Sequence, residues 1–379
     1  MRRIPVEDLK PGMVVARTVV GFTGKLLITH NTALTDTYIN RLGKLGIGSV
    51  YIKDGLDDID IPEIISEQVR SSVSSHLSTS LKSFSISNSL NVSAFKKSAK
   101  LLIDNIIRNR NVLIQLEDIR VYSDYVFIHS INVAAFAIMT GLSLGYSDSN
   151  LMDLGLGALL HDIGMIAMDS AILDNPAALT NIERNQIETH PEIGFNTLRT
   201  HNVSAIASNI AFQHHEKVDG SGYPRQLKGN EILEYAKIVS VVDAFDAIIS
   251  DRPYRTGCTT TDAMVILQKL AGSHFEPAIV EAFASNVAMY PVGSLLSLNT
   301  GHIAVVTLIN RFNSNRPVVN VICDQMGNII KPSLTINLSK TDEVVISKRL
   351  SYEESDFIRS KIVDLTGFPN KETFQPSAS

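Results

Sequence analysis

Residues 158–165 read ALLHDIGM, within an apolar run at 151–168 whose only acidic, basic or imidazole side chains are Asp153, His161 and Asp162. Burying a histidine and an aspartate side by side is costly unless both find partners. A histidine alone on an apolar face is most often a core residue that gives its ring proton to a backbone carbonyl. An imidazole with a carboxylate beside it also offers two donor atoms suited to a divalent metal. The stretch decides the fold if the chain supplies more such groups, because ligands inside apolar runs then demand a bundle of buried helices around them.

The chain does supply them. His129, His190, the pair His214-His215 and Asp243 stand in or beside segments of helical pattern, and most of the ten histidines fall between positions 129 and 215. Each has an ordinary account by itself. His129 could donate to a carbonyl, His190 could sit at a helix kink before its proline, His214-His215 could be a polar helix end, and Asp243 could be a cap. Seven groups together exceed what one ion uses alongside water. Two ions about 3.5–4 Å apart, bridged by a carboxylate, use them well.

Outward from this stretch, apolar residues keep helical spacing over 125–144, 150–168, 180–200, 204–215, 232–250 and 260–270. The 125–144 segment is apolar nearly all round, as a buried helix is. Turn chemistry separates the segments, with Asp-Asn-Pro at 174–176 and Asp-Gly-Ser-Gly-Tyr-Pro at 219–224. The fold class expected is mainly α, with a helical bundle at 116–290. Residues 1–55 read as a small β-rich module of short β-branched runs and one short helix. Residues 56–115 read as a helical linker, whose serine-rich part is either a flexible connector or a serine-rich helix. Short strands at 291–349 predict a small β-barrel or sandwich, and 350–379 a helix and a polar tail.

Composition sets the outer limits. The chain has 379 residues, 44% hydrophobic and 19% charged, so two or three domains with a substantial core are expected. A net charge of −5 argues against a general binder of duplex nucleic acid. Two distant cysteines, Cys258 and Cys323, fit a reducing compartment. With no long apolar run and charges at the start of the chain, a soluble, cytoplasmic protein without a membrane segment is expected.

Six ordered stretches carry a resemblance: HSINV at 129–133, ALLHDIG at 158–164, THPEIG at 189–194, HHEKVDGSGYP at 214–224, VVDAFDAIISDRPYR at 241–255 and GSHFEP at 272–277. Together they resemble the HD-GYP family of the HD-superfamily phosphohydrolases, over about 175 residues. The resemblance implies a helical bundle around a metal centre and hydrolysis of cyclic di-GMP to pGpG, or onward to GMP, in bacterial second-messenger signalling. It assigns metal binding to His129, His161, Asp162, His190, His214, His215 and Asp243, with Asp162 as the bridging carboxylate. Catalysis then rests on His161, Asp162 and Asp243. Arg252 and Arg255 match positions that face substrate phosphates in the family, although solvated charges after a helix explain them equally well. Gly222, Tyr223 and Pro224 shape a loop beside the site. The implied cofactor is a pair of divalent ions, Fe or Mn.

Two positions depart from the family's pattern. Met165 replaces a lysine that reaches a phosphate oxygen, and losing such a charge-assisted contact costs roughly 2–4 kcal/mol. Tyr125 replaces a glutamate of three-metal members, which points to two ions. Met165 leaves open an alternative from another class, a weakly active or inactive sensor of cyclic dinucleotide. Hydrolysis of 3′,3′-cyclic GMP-AMP is the other alternative substrate reading. The partners expected are the cyclic dinucleotide, with diguanylate cyclases or other signalling proteins and a homodimer through 66–115 as further candidates.

Overall fold

The computed structural model describes residues 1–21, 26–45, 47, 49–56, 59, 63–110, 112–114, 125–169, 172, 180–250, 258–310 and 313–366. In chain order, β1 (Arg2–Pro5), β2 (Val19–Val20), β3 (Leu26–Ile28), α1 (Asp36–Lys44) and β4 (Ser49–Ile52) form an N-terminal module. Two antiparallel pairs, β1 with β4 and β2 with β3, close on Ile4, Val15, Leu34, Leu42 and Val50. Thr35 starts α1 by accepting from the Tyr38 amide.

The serine-rich stretch is helical. It is α2 (Glu67–Ser87), capped by Ser66 at one end and closed by Asn88 in the left-handed conformation at the other. Its serines alternate with Val73 and Leu77, both fully buried, and with Leu81 and Phe84, which pack partly. With α3 (Val92–Arg108) it shares one core with the helices that follow. Helices α2 and α3 are therefore more than a linker, since apolar burial from Ile64 onward makes them part of the bundle.

The bundle continues with α4 (Tyr125–Ser143), α5 (Asp148–Leu160), α6 (Asn181–Ile187), α7 (His190–Thr200), α8 (Ala205–Gln213), α9 (Glu234–Ile249), α10 (Thr260–Leu270) and α11 (Pro277–Ala284). Two sequence expectations are corrected here. The segment expected as one helix at 150–168 ends at Leu160, and Ile163–Ala167 is a tighter 3-10 turn. The segment at 180–200 is two helices: a Thr180–Glu183 capping box starts α6, and Pro191 opens α7. Proline in the first turn of a helix costs no hydrogen bond, but one turn further in it would break the ladder.

After the bundle, β5 (Leu295–Leu298), β6 (Ile303–Leu308), β7 (Val318–Cys323), β8 (Ile329–Asn337) and β9 (Ile346–Arg349) make one antiparallel sheet in the order β8-β7-β6-β5-β9, followed by α12 (Tyr352–Thr366). The expected barrel or sandwich is a single sheet among the described residues. Its strands bury both faces, one set including Leu296, Val306 and Val319, the other Leu295, Val305 and Ile322 against Ile358 and Ile362 of α12. A helix thus stands where a second sheet was expected. Among the described residues no helix is long and apolar enough to cross a membrane.

Candidate metal centre

The helices bring the seven expected ligands to one place. His129 comes from the first turns of α4, and His161 and Asp162 follow the last residue of α5. His190 opens α7, His214 and His215 follow α8, and Asp243 lies midway along α9. The C-terminal ends of α5 and α8 both converge on the site, and their partial negative charges favour a cation there.

The donor atoms form two groups. Asp162, His190, His214 and His215 make one, and His129, His161 and Asp243 the other, with the donor atoms inside each group within 4.8 Å of one another. Asp162 joins them. Its Oδ1 lies 3.3 Å from His190 Nε2 and 3.4 Å from His214 Nε2, while its Oδ2 lies 3.3 Å from His161 Nε2 and 3.8 Å from His129 Nε2. Asp243 Oδ1 lies 3.2 Å from His129 Nε2.

Each ring is aimed by what its other nitrogen touches. Nδ1 meets the carbonyl of Ala158 at 2.8 Å in His161, of Ile187 at 2.7 Å in His190 and of Ala211 at 2.9 Å in His214. These carbonyls accept the Nδ1 proton and leave the Nε2 lone pair pointing inward, the tautomer that a metal needs. His129 differs, because its Nδ1 lies 2.7 Å from Asp246 Oδ2. His161 Nε2 is completely buried and makes no hydrogen bond. A buried nitrogen without a proton partner, facing two carboxylates, fits an absent cation and is otherwise costly.

The electrostatics agree with that fit. Burial lowers the pKa of His214 and lowers that of His215 further, assisted by neighbouring imidazoles, so both favour the neutral ligating form. Burial alone would raise Asp162, but His161, His190 and His214 hold it well below the usual carboxylate range. Asp243 is likewise held below that range by His129 against the effect of burial. At His129 and His161 burial opposes the charged form, yet the carboxylates raise both, His129 strongly through Asp243 and Asp246. The carboxylates thus bias His129 and His161 towards the charged form. Asp162 and Asp243 keep 23% and 15% of their side chains exposed, whereas His161 and His214 are sealed, so the centre opens to solvent on its carboxylate side.

Close packing positions the pieces. A methyl group on Gly164 would lie 2.0 Å from the His190 carbonyl oxygen, so the turn after Asp162 touches the backbone of α7. On the other side, Gly222, Tyr223 and Pro224 form the expected loop. A methyl group on Gly222 would meet the Lys217 amide nitrogen at 2.4 Å and the His215 carbonyl oxygen at 2.5 Å, so only glycine fits. The Tyr223 ring stacks on His215 at 4.7 Å between centroids. The buried Glu216 accepts from the Arg225 amide at 2.7 Å and the Leu227 amide at 2.9 Å, which fixes the loop's return.

Met165 sits half-buried in the turn after Asp162. Arg252 and Arg255 lie outside the described residues, as does the side chain of Tyr125. Sequence reading did not assign site roles to Asp246, Asn132 or Glu216. A signal for the first two was present: His129 with Asn132, and Asp243 with Asp246, are i,i+3 polar pairs on helices otherwise apolar there, and such pairs share a face.

The HD domain family matches residues 101–279, and the KOW domain associated with HD domain matches 295–357. A cyclic di-GMP phosphodiesterase of Pseudomonas aeruginosa is 33% identical over 245 residues, 64% of this chain and 59% of the relative. A cyclic di-GMP phosphodiesterase of Borreliella burgdorferi is 27% identical over 63% of each chain. A 3′3′-cGAMP-specific phosphodiesterase of Vibrio cholerae is 32% identical over 45% of this chain and 37% of its own. The chain thus spans less than two-thirds of the length of these curated relatives. The ordered motifs, the paired donor groups and these matches point the same way: residues 101–279 are similar to the HD domain family, and the motifs within them resemble its HD-GYP branch.

Proposed function

We propose that this chain is a metal-dependent phosphodiesterase that opens cyclic di-GMP to linear pGpG and carries part of it on to GMP. The observation that carries the reading is Asp162, whose two oxygens each face a different set of imidazole nitrogens. A carboxylate so placed suits two ions and has little use in a site for one. His129, His161 and Asp243 with Asp162 Oδ2 would hold the first ion, and His190, His214 and His215 with Asp162 Oδ1 the second. Mixed imidazole and carboxylate donors suit Fe or Mn better than Mg, which prefers oxygen and keeps its waters. Bound there, the ions supply an activated water and neutralise charge on the phosphoryl group.

The chain's own residues do the rest. Asp162 and Asp243 stay ionised, and His214 and His215 stay neutral, so these donors need no proton removed at neutral pH. Burial pushes the Tyr223 hydroxyl above its ordinary range, so it remains a phenol beside His215. As the water oxygen bonds to phosphorus, the bond to the 3′-oxygen breaks and that oxygen takes up a proton. The attacking water gives up a proton as its oxygen bonds to phosphorus, which balances the proton taken by the 3′-oxygen, and the exposed edge of Asp162 and Asp243 opens that exchange to solvent. The Met165 thioether has no proton to contribute.

Substrate choice rests on the names of the relatives, most of which act on cyclic di-GMP and some on 3′3′-cGAMP. Met165 favours a second reading, a cyclic-dinucleotide sensor that turns over slowly or not at all. One experiment separates them: protein reconstituted anaerobically with Fe(II) or Mn(II) is given cyclic di-GMP and, separately, 3′,3′-cyclic GMP-AMP, with Met165→Lys in parallel. Hydrolysis by the parent supports the enzyme and shows the lysine to be dispensable. Binding without hydrolysis, with turnover appearing in Met165→Lys, supports the sensor. Hydrolysis of cyclic GMP-AMP alone changes the substrate and keeps the mechanism.

A further inference from the structure

Among the candidate ligand imidazoles, His129 is the one with a described Nδ1 partner that is a side chain, and that partner begins a chain of contacts leading out of the HD segment. Asp246 is buried on α9, one turn beyond Asp243, and holds His129 Nδ1 at 2.7 Å through Oδ2. Its Oδ1 accepts from Asn132 Nδ2 at 3.0 Å. Asn132, also buried, turns its amide oxygen the other way and accepts from Arg70 Nη1 at 3.2 Å. The two contacts fix the amide's orientation together, because reversing it would set nitrogen against guanidinium and oxygen against carboxylate.

Arg70 lies on α2, well before the matched HD segment begins at residue 101. The next residue, Ser71, is buried and donates to the carbonyl of Gly21 in the N-terminal module at 3.1 Å. The same turn of α2 thus touches both the N-terminal module and the support of a metal ligand. We infer that Arg70 is a positioning residue of the metal centre: it holds Asn132 so that Asp246 keeps His129 Nε2 aimed at the ion of the His129–His161–Asp243 group. This rests on the metal-centre reading given above. Partners in the outer shell of a metal site orient its ligands, and losing one lowers metal affinity.

The test is metal binding, independent of hydrolysis. Mn(II) is titrated into the metal-free full chain and followed by calorimetry and by electron paramagnetic resonance, for the parent, Arg70→Met and Arg70→Lys. His76→Ala is the control on the same helix, since among the described residues its hydrogen bond is to Ser98 Oγ and reaches none of the candidate ligands. Arg70→Met is expected to weaken the Mn(II) site of the His129–His161–Asp243 group about 3- to 10-fold, less than the roughly 10- to 100-fold of losing a ligand's direct partner, because Arg70 acts through Asn132 and Asp246. Arg70→Lys, which keeps a donor, is expected to stay within about 2-fold of the parent, and His76→Ala to match it. Arg70→Met binding Mn(II) as the parent does overturns the inference alone. So does an affinity loss shared equally by His76→Ala, which would make the effect one of general helix packing. A parent that binds neither Mn(II) nor Fe(II) overturns the metal-centre reading, and the inference with it.

Discussion

The two donor groups differ in the partner of one ligand. His190 and His214, like His161 in the other group, are turned inward by carbonyls of their own helical segments, at Ile187, Ala211 and Ala158, so backbone geometry fixes their tautomer. His129 is turned inward by a carboxylate from another helix, which in turn depends on Asn132 and Arg70. Charge follows the same division. Burial leaves His214 and His215 favouring the neutral form, whereas carboxylates bias His129 and His161 towards the charged one. One half of the centre favours the neutral, ligating form, and the other is biased against it, so metal binding there is coupled more strongly to proton release. A ligand held by the main chain is hard to adjust, and one held by a run of side chains can be adjusted from a distance.

Asp162 is the member common to both halves, and its replacement removes the comparison itself. Asp162→Ala is expected to lose both ions by elemental analysis, and hydrolysis more than the roughly 10²–10³-fold that one electrostatic donor contributes. A fully active variant would sink the bridging assignment. Asp246→Asn attacks one half only: Mn(II) affinity of the His129 group is expected to fall about 10- to 100-fold, with the other group unchanged. Equal losses at both sites would show that the halves are not separately supported. Gly222→Ala tests the other half through its loop, where overpacking should cost about 1–3 kcal/mol in thermal or chemical unfolding and disturb the Tyr223–His215 stack.

pH offers the gentlest separation. Metal-free, His129 and His161 have pKa values above the ordinary 6.5, so their charged forms stabilise the fold fully below that value. The contribution is lost as pH rises through the raised values. The metal-loaded protein should show the reverse: binding at the His129 group releases protons, so its Mn(II) affinity climbs across the same window. The His190–His214–His215 group should change little above neutral pH. Thermal unfolding with and without a chelator, from pH 6 upward, checks both signs. Parallel curves for the two states would refute the division.

The candidate ligands were legible in the sequence because burying His161-Asp162 or His214-His215 in apolar runs is costly without a partner such as an ion. Their division between two groups was not, because it depends on which oxygen of Asp162 each ring faces. Asp246 escaped notice since an acid one turn from Asp243 reads as more of the same helix face. Arg70 carried no local signal, its partner Asn132 being 62 residues away along the chain. Alternation correctly marked the strands after residue 291, but it does not reveal whether a helix or another sheet covers them. The serine-rich stretch was ambiguous for a related reason. Its four apolar anchors, Val73, Leu77, Leu81 and Phe84, mark a helix only when something is there to receive them, and that something is the HD bundle.

Gly164 leads to a last consequence. With no room for even one methyl group between its turn and the backbone of α7, the interval separating Asp162 from His190 is a property of the main chain. The centre therefore behaves as a gauge of fixed width. Donors can be exchanged around it and their supports retuned, but a larger or smaller ion must adapt to the gap, because the gap has no slack with which to adapt to the ion.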